Sequence, residues 1–132
     1  MDTAPTTLVA SYQVKPGAEE ALRHLSRQYA AAVAEEPGTY ALGLYLDDAG
    51  TYTHIQMSAD TEAFEAHMRQ IREFLGQAFE LVETVAIDVY GVPGPILSEA
   101  VQRNREAGAT VSLHRNGVAG FGRLPVDVAS GR

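Results

Sequence analysis

The chain contains no cysteine and no tryptophan. The lack of cysteine excludes disulfides, thiolate nucleophiles and Cys-based zinc or iron–sulfur sites. No uninterrupted apolar run approaches the roughly 18 residues that a membrane-spanning helix needs, so we expect no membrane partner. Met1 to Thr7 lack the basic start and apolar stretch of a secretory signal, and we therefore expect a cytoplasmic protein.

Positive charge is also scarce. Lys15 is the single lysine, the nine arginines are scattered, and the net charge is −7, so nucleic acid is not an expected partner. Neither a glycine-rich nucleotide loop nor a G-x-S-x-G nucleophile motif occurs. No HxH or HExxH spacing supports a metal site, and we expect neither a metal nor another cofactor.

What is present is the material of one domain, with 132 residues of which 45% are hydrophobic. Apolar residues recur at period two over 8–14, which predicts a first strand, and Lys15-Pro16-Gly17 ends it. Glu19 and Glu20 then favour a helix start, and apolar spacings of three and four residues predict a helix that ends at Glu36 before Pro37-Gly38.

Period two returns after this helix. Residues 39–46 and 51–57 predict a hairpin around the turn residues 47–50. Asp60 is a suitable N-cap for a second helix from about Thr61 to Glu83, and 85–90 predicts a fourth strand.

The order β-α-β-β-α-β is the split βαβ pattern of an α+β, ferredoxin-like fold, in which two helices cover one face of a four-stranded antiparallel sheet. The other face has no cover within the chain, so we expect a homodimer that closes a dimeric α/β barrel. We assign residues 1–92 to this domain. Residues 93–132 form a C-terminal extension, with a short helix over 96–107, a strand over 109–114 and partial order over 120–132 unless that segment docks on the partner.

Three segments resemble a known family in their order and spacing: Val14-Lys15-Pro16-Gly17, Glu36-Pro37-Gly38-Thr39 and Ala63-Phe64-Glu65-Ala66-His67. They are similar to the antibiotic biosynthesis monooxygenase (ABM) domain family of the dimeric α/β barrel superfamily, over roughly 8–92. The resemblance implies a small-molecule pocket between sheet and helices in each subunit. It also implies activities such as quinone-forming oxygenation of aromatic polyketides, haem degradation or isomerisation of signal molecules.

The chain departs from this family in two respects. It has no tryptophan, which the haem-degrading branch and several polyketide oxygenases place near the substrate. In addition, Gln56 stands where many members carry a glutamate eleven residues before the helix histidine, His67.

His67 is the first candidate for chemistry. It flanks the apolar stripe of the second helix between Phe64 and Ile71, so its ring should tilt toward the cleft between helix and sheet. There it would serve as a base or as a hydrogen-bond donor to a carbonyl oxygen. The alternative is a half-buried boundary histidine with one backbone partner.

His54 and Gln56 share one face of the third strand and are the other catalytic candidates, as polar anchors. The alternative is that this face meets solvent or a partner subunit. Aromatic and apolar side chains would line the pocket, although the same rings also fill ordinary cores. The lining candidates are Tyr12, Tyr40, Tyr45, Tyr52, Phe64 and Ile71.

These residues support three hypotheses about function. The first is a cofactor-independent monooxygenase, or a related tailoring enzyme, acting on an aromatic polyketide-like molecule. The second is a non-catalytic binding or accessory protein that uses the same pocket, which the presence of Gln56 favours. The third is haem binding through His67.

Overall fold

A computed structural model describes residues 5–122 of the chain. Its elements are β1 (Thr6–Val14), α1 (Glu19–Val33), β2 (Thr39–Leu46), β3 (Thr51–Ser58), α2 (Thr61–Gln70), α3 (Arg72–Ala78), β4 (Val82–Tyr90), α4 (Pro95–Glu106) and β5 (Thr110–His114).

The five strands form one sheet in the order β2-β3-β1-β4-β5. The first four strands are antiparallel neighbours, and β5 pairs in parallel with β4. A parallel pair needs a crossover between its strands, and α4 provides it. The predicted ferredoxin-like core is confirmed, and the extension adds a helix and an edge strand to it.

The hydrophobic core lies between the sheet and the helices. Ala10 and Val89, from the two central strands, are completely buried there. Phe64, from α2, and Leu97, from α4, are each 2% exposed and belong to the same core cluster. Burial of a large apolar side chain stabilises the fold by about 1.5–3 kcal/mol, so α4 is held by the same core as the four-stranded domain.

The predicted second helix, Thr61 to Glu83, was wrong at its C-terminal end. The helix is interrupted at the buried Ile71, α3 ends at Ala78, and β4 begins at Val82, which pairs with Val14. Phe79 and Val82 fit a helical spacing, but pairing β4 with the full length of β1 satisfies more backbone groups. The first helix likewise ends at Val33 and not at Glu36, because a residue before proline disfavours helical dihedrals.

The extension follows its predicted pattern closely. The predicted helix over 96–107 and strand over 109–114 are α4 and β5. The expectation of partial order beyond residue 122 lies outside the described residues. Among residues 5–122, no helix is long and apolar enough to cross a membrane.

Candidate functional site

A cavity of about 610 Å³, here called the main cavity, lies between the sheet and the helices α2, α3 and α4. Its lining is largely apolar, and His54 and His67 are the imidazole groups in its wall. A volume of this size is typical of small-molecule sites. Its apolar lining comes from β1, α2, β4 and α4 and includes Leu8, Phe64, Met68, Ile87, Leu97 and Val101.

A smaller space of about 50 Å³, here called the side lobe, lies between the sheet and α1. Tyr12 and His54 line both spaces, while Tyr29 and Tyr52 line the side lobe. His54 therefore stands at the junction of the two.

His67 is held at both ring nitrogens. The N-cap Asp60, whose Oδ1 accepts the backbone N–H of Ala63 at 2.8 Å, fixes the start of the helix that carries it. Nδ1 lies 2.7 Å from Oε1 of Glu36, and Nε2 lies 3.1 Å from the hydroxyl of Tyr29. With only 2% exposure, the imidazole has a single orientation and two defined partners.

Glu36 lies in the connection between α1 and β2, and its carboxylate is an acceptor only. Its Oε1 also accepts the hydroxyl of Thr39 at 2.9 Å. A carboxylate that faces Nδ1 holds the proton on that nitrogen, as in other carboxylate–histidine pairs. In neutral His67 the lone pair is therefore on Nε2, which accepts the hydroxyl of Tyr29.

The hydrogen-bond chain continues from Tyr29 to β3. The Tyr29 hydroxyl lies 3.4 Å from Oε1 of Gln56, and Nε2 of His54 lies 3.3 Å from the same oxygen. Because Tyr29 has one proton, its hydroxyl donates either to His67 or to Gln56. A protonated His67 would donate Nε2–H to Tyr29, and the phenol would then turn to Gln56.

Burial controls the ionisation of these groups. Desolvation lowers the pKa of His67, and the charge and hydrogen bond of Glu36 oppose that shift. Desolvation lowers the pKa of His54 to about 4, with a smaller opposing effect from its hydrogen bond to Gln56. Desolvation also raises the pKa of Tyr29. At neutral pH both imidazoles are therefore neutral and the phenol keeps its proton.

His54 keeps one ring nitrogen for other partners. Its Nδ1 makes no hydrogen bond to the described residues, and it is not among the fully buried polar atoms without a partner in that part of the chain. Those atoms are Nε2 of Gln56 and Oγ of Ser58. His54 lines both the main cavity and the side lobe, so Nδ1 is the ring nitrogen left for a ligand.

The candidate catalytic residues from the sequence are brought together. His54, Gln56 and His67 belong to one hydrogen-bond chain, joined through Tyr29. The polar side of β3 points toward the helices. The sequence alone did not decide whether this side lines a pocket or meets solvent or a partner subunit.

Four of the six predicted lining residues line the main cavity or the side lobe, and two do not. Tyr12, Phe64 and Ile71 line the main cavity, and Tyr52 lines the side lobe. Tyr45 is 60% exposed and lines neither the main cavity nor the side lobe. Tyr40 likewise lies outside both, and its ring packs against Gly122.

Sequence reasoning missed two members of the hydrogen-bond chain, Glu36 and Tyr29. The segment Glu36-Pro37-Gly38 carries the signal of a helix end, and Tyr29 fits the apolar spacing of α1. The available signal was a carboxylate placed directly before a proline, where it cannot be part of the helix and is free to turn inward.

Haem ligation does not fit His67. Glu36 occupies one ring nitrogen at 2.7 Å and Tyr29 occupies the other at 3.1 Å, so an iron atom would have to displace a buried partner. Among the described residues, no group of three or more His, Asp or Glu side chains could hold a metal ion.

Comparison with known proteins agrees with this fold. The model of the antibiotic biosynthesis monooxygenase family matches residues 5–75, more than half of the chain. The comparison with curated proteins found no match.

Several solved structures are similar to this chain, among them the following three. MupZ from Pseudomonas fluorescens has a TM-score of 0.67 at 18% identity, covering 91% of this chain and 95% of that one. PA3566 from Pseudomonas aeruginosa has a TM-score of 0.57 at 28% identity, covering 69% and 96%. Rv0793 from Mycobacterium tuberculosis has a TM-score of 0.59 at 22% identity, covering 69% and 97%.

The MupZ match covers a larger share of this chain than the other two matches do. Residues 1–92 make up about seven-tenths of the chain, so 91% coverage cannot be reached without the C-terminal extension. The extension is therefore shared with MupZ as a fold feature. Family membership together with the cavity supports small-molecule binding, and the chain belongs to the antibiotic biosynthesis monooxygenase family.

Proposed function

We propose that the chain is a cofactor-independent monooxygenase, or a related tailoring enzyme, that acts on an aromatic, polyketide-like molecule in the main cavity. One observation carries the proposal: a buried, neutral imidazole, His67, is oriented by the carboxylate of Glu36 in the wall of a largely apolar cavity. A carboxylate-oriented neutral imidazole is a suitable general base.

Proton removal would pass along the hydrogen-bond chain. The substrate's acidic O–H or C–H lies at the junction of the two spaces, beside His54 and Tyr29. Tyr29 gives its proton to Nε2 of His67 and accepts the substrate's proton in exchange. Glu36 stabilises the imidazolium that forms. His54, through its free Nδ1, anchors a polar substituent of the substrate.

The oxygen step requires an electron-rich carbanion. An anthrone-type methylene loses one proton to the base, and the carbanion transfers an electron to O₂. Recombination forms a carbon–oxygen bond and, after protonation, a hydroperoxide. Loss of water from the hydroperoxide leaves a carbonyl, so one oxygen atom enters the product and the other leaves as water. The protein contributes orientation, the base and exclusion of bulk water.

Aromatic rings support a flat substrate. Tyr12 and Phe64 present rings to the main cavity, and burial raises the pKa of Tyr12 to about 12, so its phenol stays neutral. Offset and edge-to-face contacts with such rings stabilise aromatic ligands beyond their area of burial.

Oxygen consumption with a panel of anthrones and hydroquinones tests this function. Because anthrones oxidise slowly in buffer, the measured quantity is the rate above the protein-free rate. We expect His67→Asn to lower it by about 10²–10⁴-fold, the usual contribution of a general base. Glu36→Gln should lower it less, since the imidazole remains. The exposed His24 on α1 provides a matched control, His24→Asn. Unchanged turnover in His67→Asn would overturn the proposal.

A non-catalytic binding protein is the second candidate, and a specific observation favours it. Both nitrogens of His67 already have partners within the protein, and the amide Gln56 stands where many relatives carry a carboxylate. A binder would show a ligand-dependent rise in melting temperature without oxygen consumption.

We also propose a homodimer formed through the sheet face opposite the helices, here called the open face. Supporting it are three exposed apolar side chains on that face, Tyr45 (60% exposed), Ile55 (39%) and Met57 (36%). Ile55→Asp would place a charge in such an interface. We expect light scattering to give a dimer for the parent chain and a monomer for this variant. A monomeric parent would contradict the dimer.

A further inference from the structure

We infer that α4 is the ligand-selecting wall of the main cavity, that Glu65 is the positioning residue that holds it there, and that the ligand carries, beside its aromatic part, an elongated, mostly apolar portion with a polar end group. The inference rests on the proposed function only in taking the main cavity as the ligand site.

Glu65 binds the N-terminus of α4 from a neighbouring helix. It is 6% exposed, and its Oε1 and Oε2 accept the backbone N–H groups of Ile96 and Leu97 at 2.8 and 3.0 Å. The first turn of α4 contains no acidic residue, and its N-cap Gly94 offers no side chain. The Glu65 carboxylate therefore satisfies two free N–H groups and complements the positive end of the helix dipole.

Two further contacts fix the segment that leads into α4. The hydroxyl of Thr61, one turn before Glu65 on α2, donates to the carbonyl of Val92 at 2.7 Å. A Cβ added at Gly94 would lie 2.5 Å from Cδ of Glu65, so only glycine allows this approach. We call Thr61, Glu65 and Gly94 the α4 clamp.

The clamp places one side of α4 in the cavity wall. Leu97 and Val101 are buried in the hydrophobic core and line the cavity, and Ala100 lines it between them. Since Glu65 and His67 belong to the same short helix, the clamp also sets the position of the α4 wall relative to the proposed base.

The cavity is long in the direction of β1. Leu8 and Lys15 both line it, and seven steps along a strand span roughly 23 Å. At the Leu8 end the lining is apolar apart from His67, since Leu8 pairs with Gln56, which Tyr29 joins to His67. At the Lys15 end it includes Glu83, Arg103 and Asn104, from the start of β4 and the last turns of α4.

Mixed donors and acceptors at one end fit a polar end group. Lys15 donates to the carbonyl of Phe79 at 3.3 Å, and Arg103 pairs with Glu99 at 2.8 Å. Glu83, an acceptor, lines the same end. An apolar body along Leu97 and Val101 with a polar end beside Lys15 matches this distribution.

Binding of straight-chain carboxylates to the full chain tests the inference. We would measure hexanoate, decanoate and tetradecanoate by calorimetry below their micelle concentrations, with 1-naphthoate as a compact probe. In the parent chain, affinity should rise with length, up to about fourfold per added methylene. Tetradecanoate should then bind more tightly than 1-naphthoate.

Glu65→Ala should weaken tetradecanoate binding by at least about tenfold and hexanoate binding by less than about threefold, because a loosened α4 loses contact mainly with a long ligand. Ala100→Leu, which fills the wall without touching the clamp, should also weaken tetradecanoate selectively. The control Glu62→Ala lies exposed on the same helix and should match the parent.

Equal weakening of all probes by Glu65→Ala would show a merely structural role and overturn the inference. So would a parent chain without length preference, or one that binds 1-naphthoate as tightly as tetradecanoate. His67→Asn separates this result from the proposed function, since a variant that has lost oxygen consumption should keep the length preference. Length preference without any oxygen consumption in the parent would reject the monooxygenase alone.

Discussion

Two histidine–carboxylate pairs lie on opposite sides of the sheet. On the helix side, His67 and Glu36 are joined at 2.7 Å, and their side chains are 1% and 8% exposed. On the open face, His114 and Asp88 are joined at 3.0 Å, and their side chains are 46% and 37% exposed. Tyr90 stacks on the ring of His114 with centroids 4.3 Å apart, whereas Tyr29 meets His67 edge to face at 6.1 Å.

The two pairs have similar chemistry but different surroundings. Water competes for every hydrogen bond of the exposed pair and screens its charges, so the pair contributes little to stability. Around the buried pair no water replaces a lost partner, and the charge and hydrogen bond of Glu36 oppose the lowering of the His67 pKa. Burial of the pair, more than its geometry, makes the helix side the candidate for chemistry.

Removing the buried carboxylate should have the largest effect on stability. Glu36→Ala leaves the Nδ1–H of His67 and the hydroxyl of Thr39 without their acceptor. We expect the free energy of unfolding to fall by about 3–4 kcal/mol, as measured by urea unfolding at pH 7. Glu35→Ala, at an exposed neighbouring position, is the control. A loss below about 1 kcal/mol would contradict the role given to burial.

The effect expected to be next in size is the change in the free energy of unfolding with pH that the buried histidines cause. Burial lowers the pKa of His54 from 6.5 to about 4, so between these values the unfolded chain binds more protons than the folded one. The free energy of unfolding should therefore decrease as the pH falls from about 6.5 to 4, by as much as about 3 kcal/mol from His54. His67, whose pKa is also lowered, acts in the same direction.

His54→Asn removes one of these titrations. Its unfolding free energy should fall less over the same pH range, and the difference from the parent measures the contribution of His54. Parallel curves for the parent and His54→Asn would show that His54 titrates normally in the folded chain. Titration of the imidazole proton signals by NMR provides a direct check.

Breaking the exposed pair should have the smallest effect. His114→Ala is expected to change the free energy of unfolding by no more than about 0.5–1 kcal/mol, and less at high salt. The measurement is the same urea titration in low and high salt at pH 6, on the monomeric Ile55→Asp background so that the open face is not in an interface. A loss as large as that of Glu36→Ala would remove the distinction between the two pairs.

The backbone of the domain was predictable because its signals are local. Period-two residues in 39–46 and 51–57 around turn residues gave the hairpin, and Asp60 gave the start of α2. The end of that helix was not predictable, because Phe79 and Val82 continue its apolar spacing. Only pairing of Val82 with Val14, distant in sequence, decides for a strand.

The candidate site was predictable for the side chains that share an element and not for those that meet through packing. His54 and Gln56 follow from strand alternation, and His67 from its place on the helix stripe. Glu36 comes from a loop that is 31 positions away from His67, and no periodicity encodes that contact. The pairing of β2 with β3 is irregular between Thr39 and Ala41. Strand alternation therefore does not predict to which face of the sheet Tyr40 points.

The close approach of Gly94 to Glu65 predicts a pattern that can be sought in other sequences. A larger residue at 94 would collide with the carboxylate, and a different residue at 65 would remove the reason for the glycine. Residues 65 and 94 should therefore vary together among chains that carry the extension. The pattern to seek is a glutamate two residues before the helix histidine, together with a Gly-Pro step after the fourth strand. Chains of the family that end at that strand lack the Gly-Pro step, so there the residue at position 65 should vary independently of it.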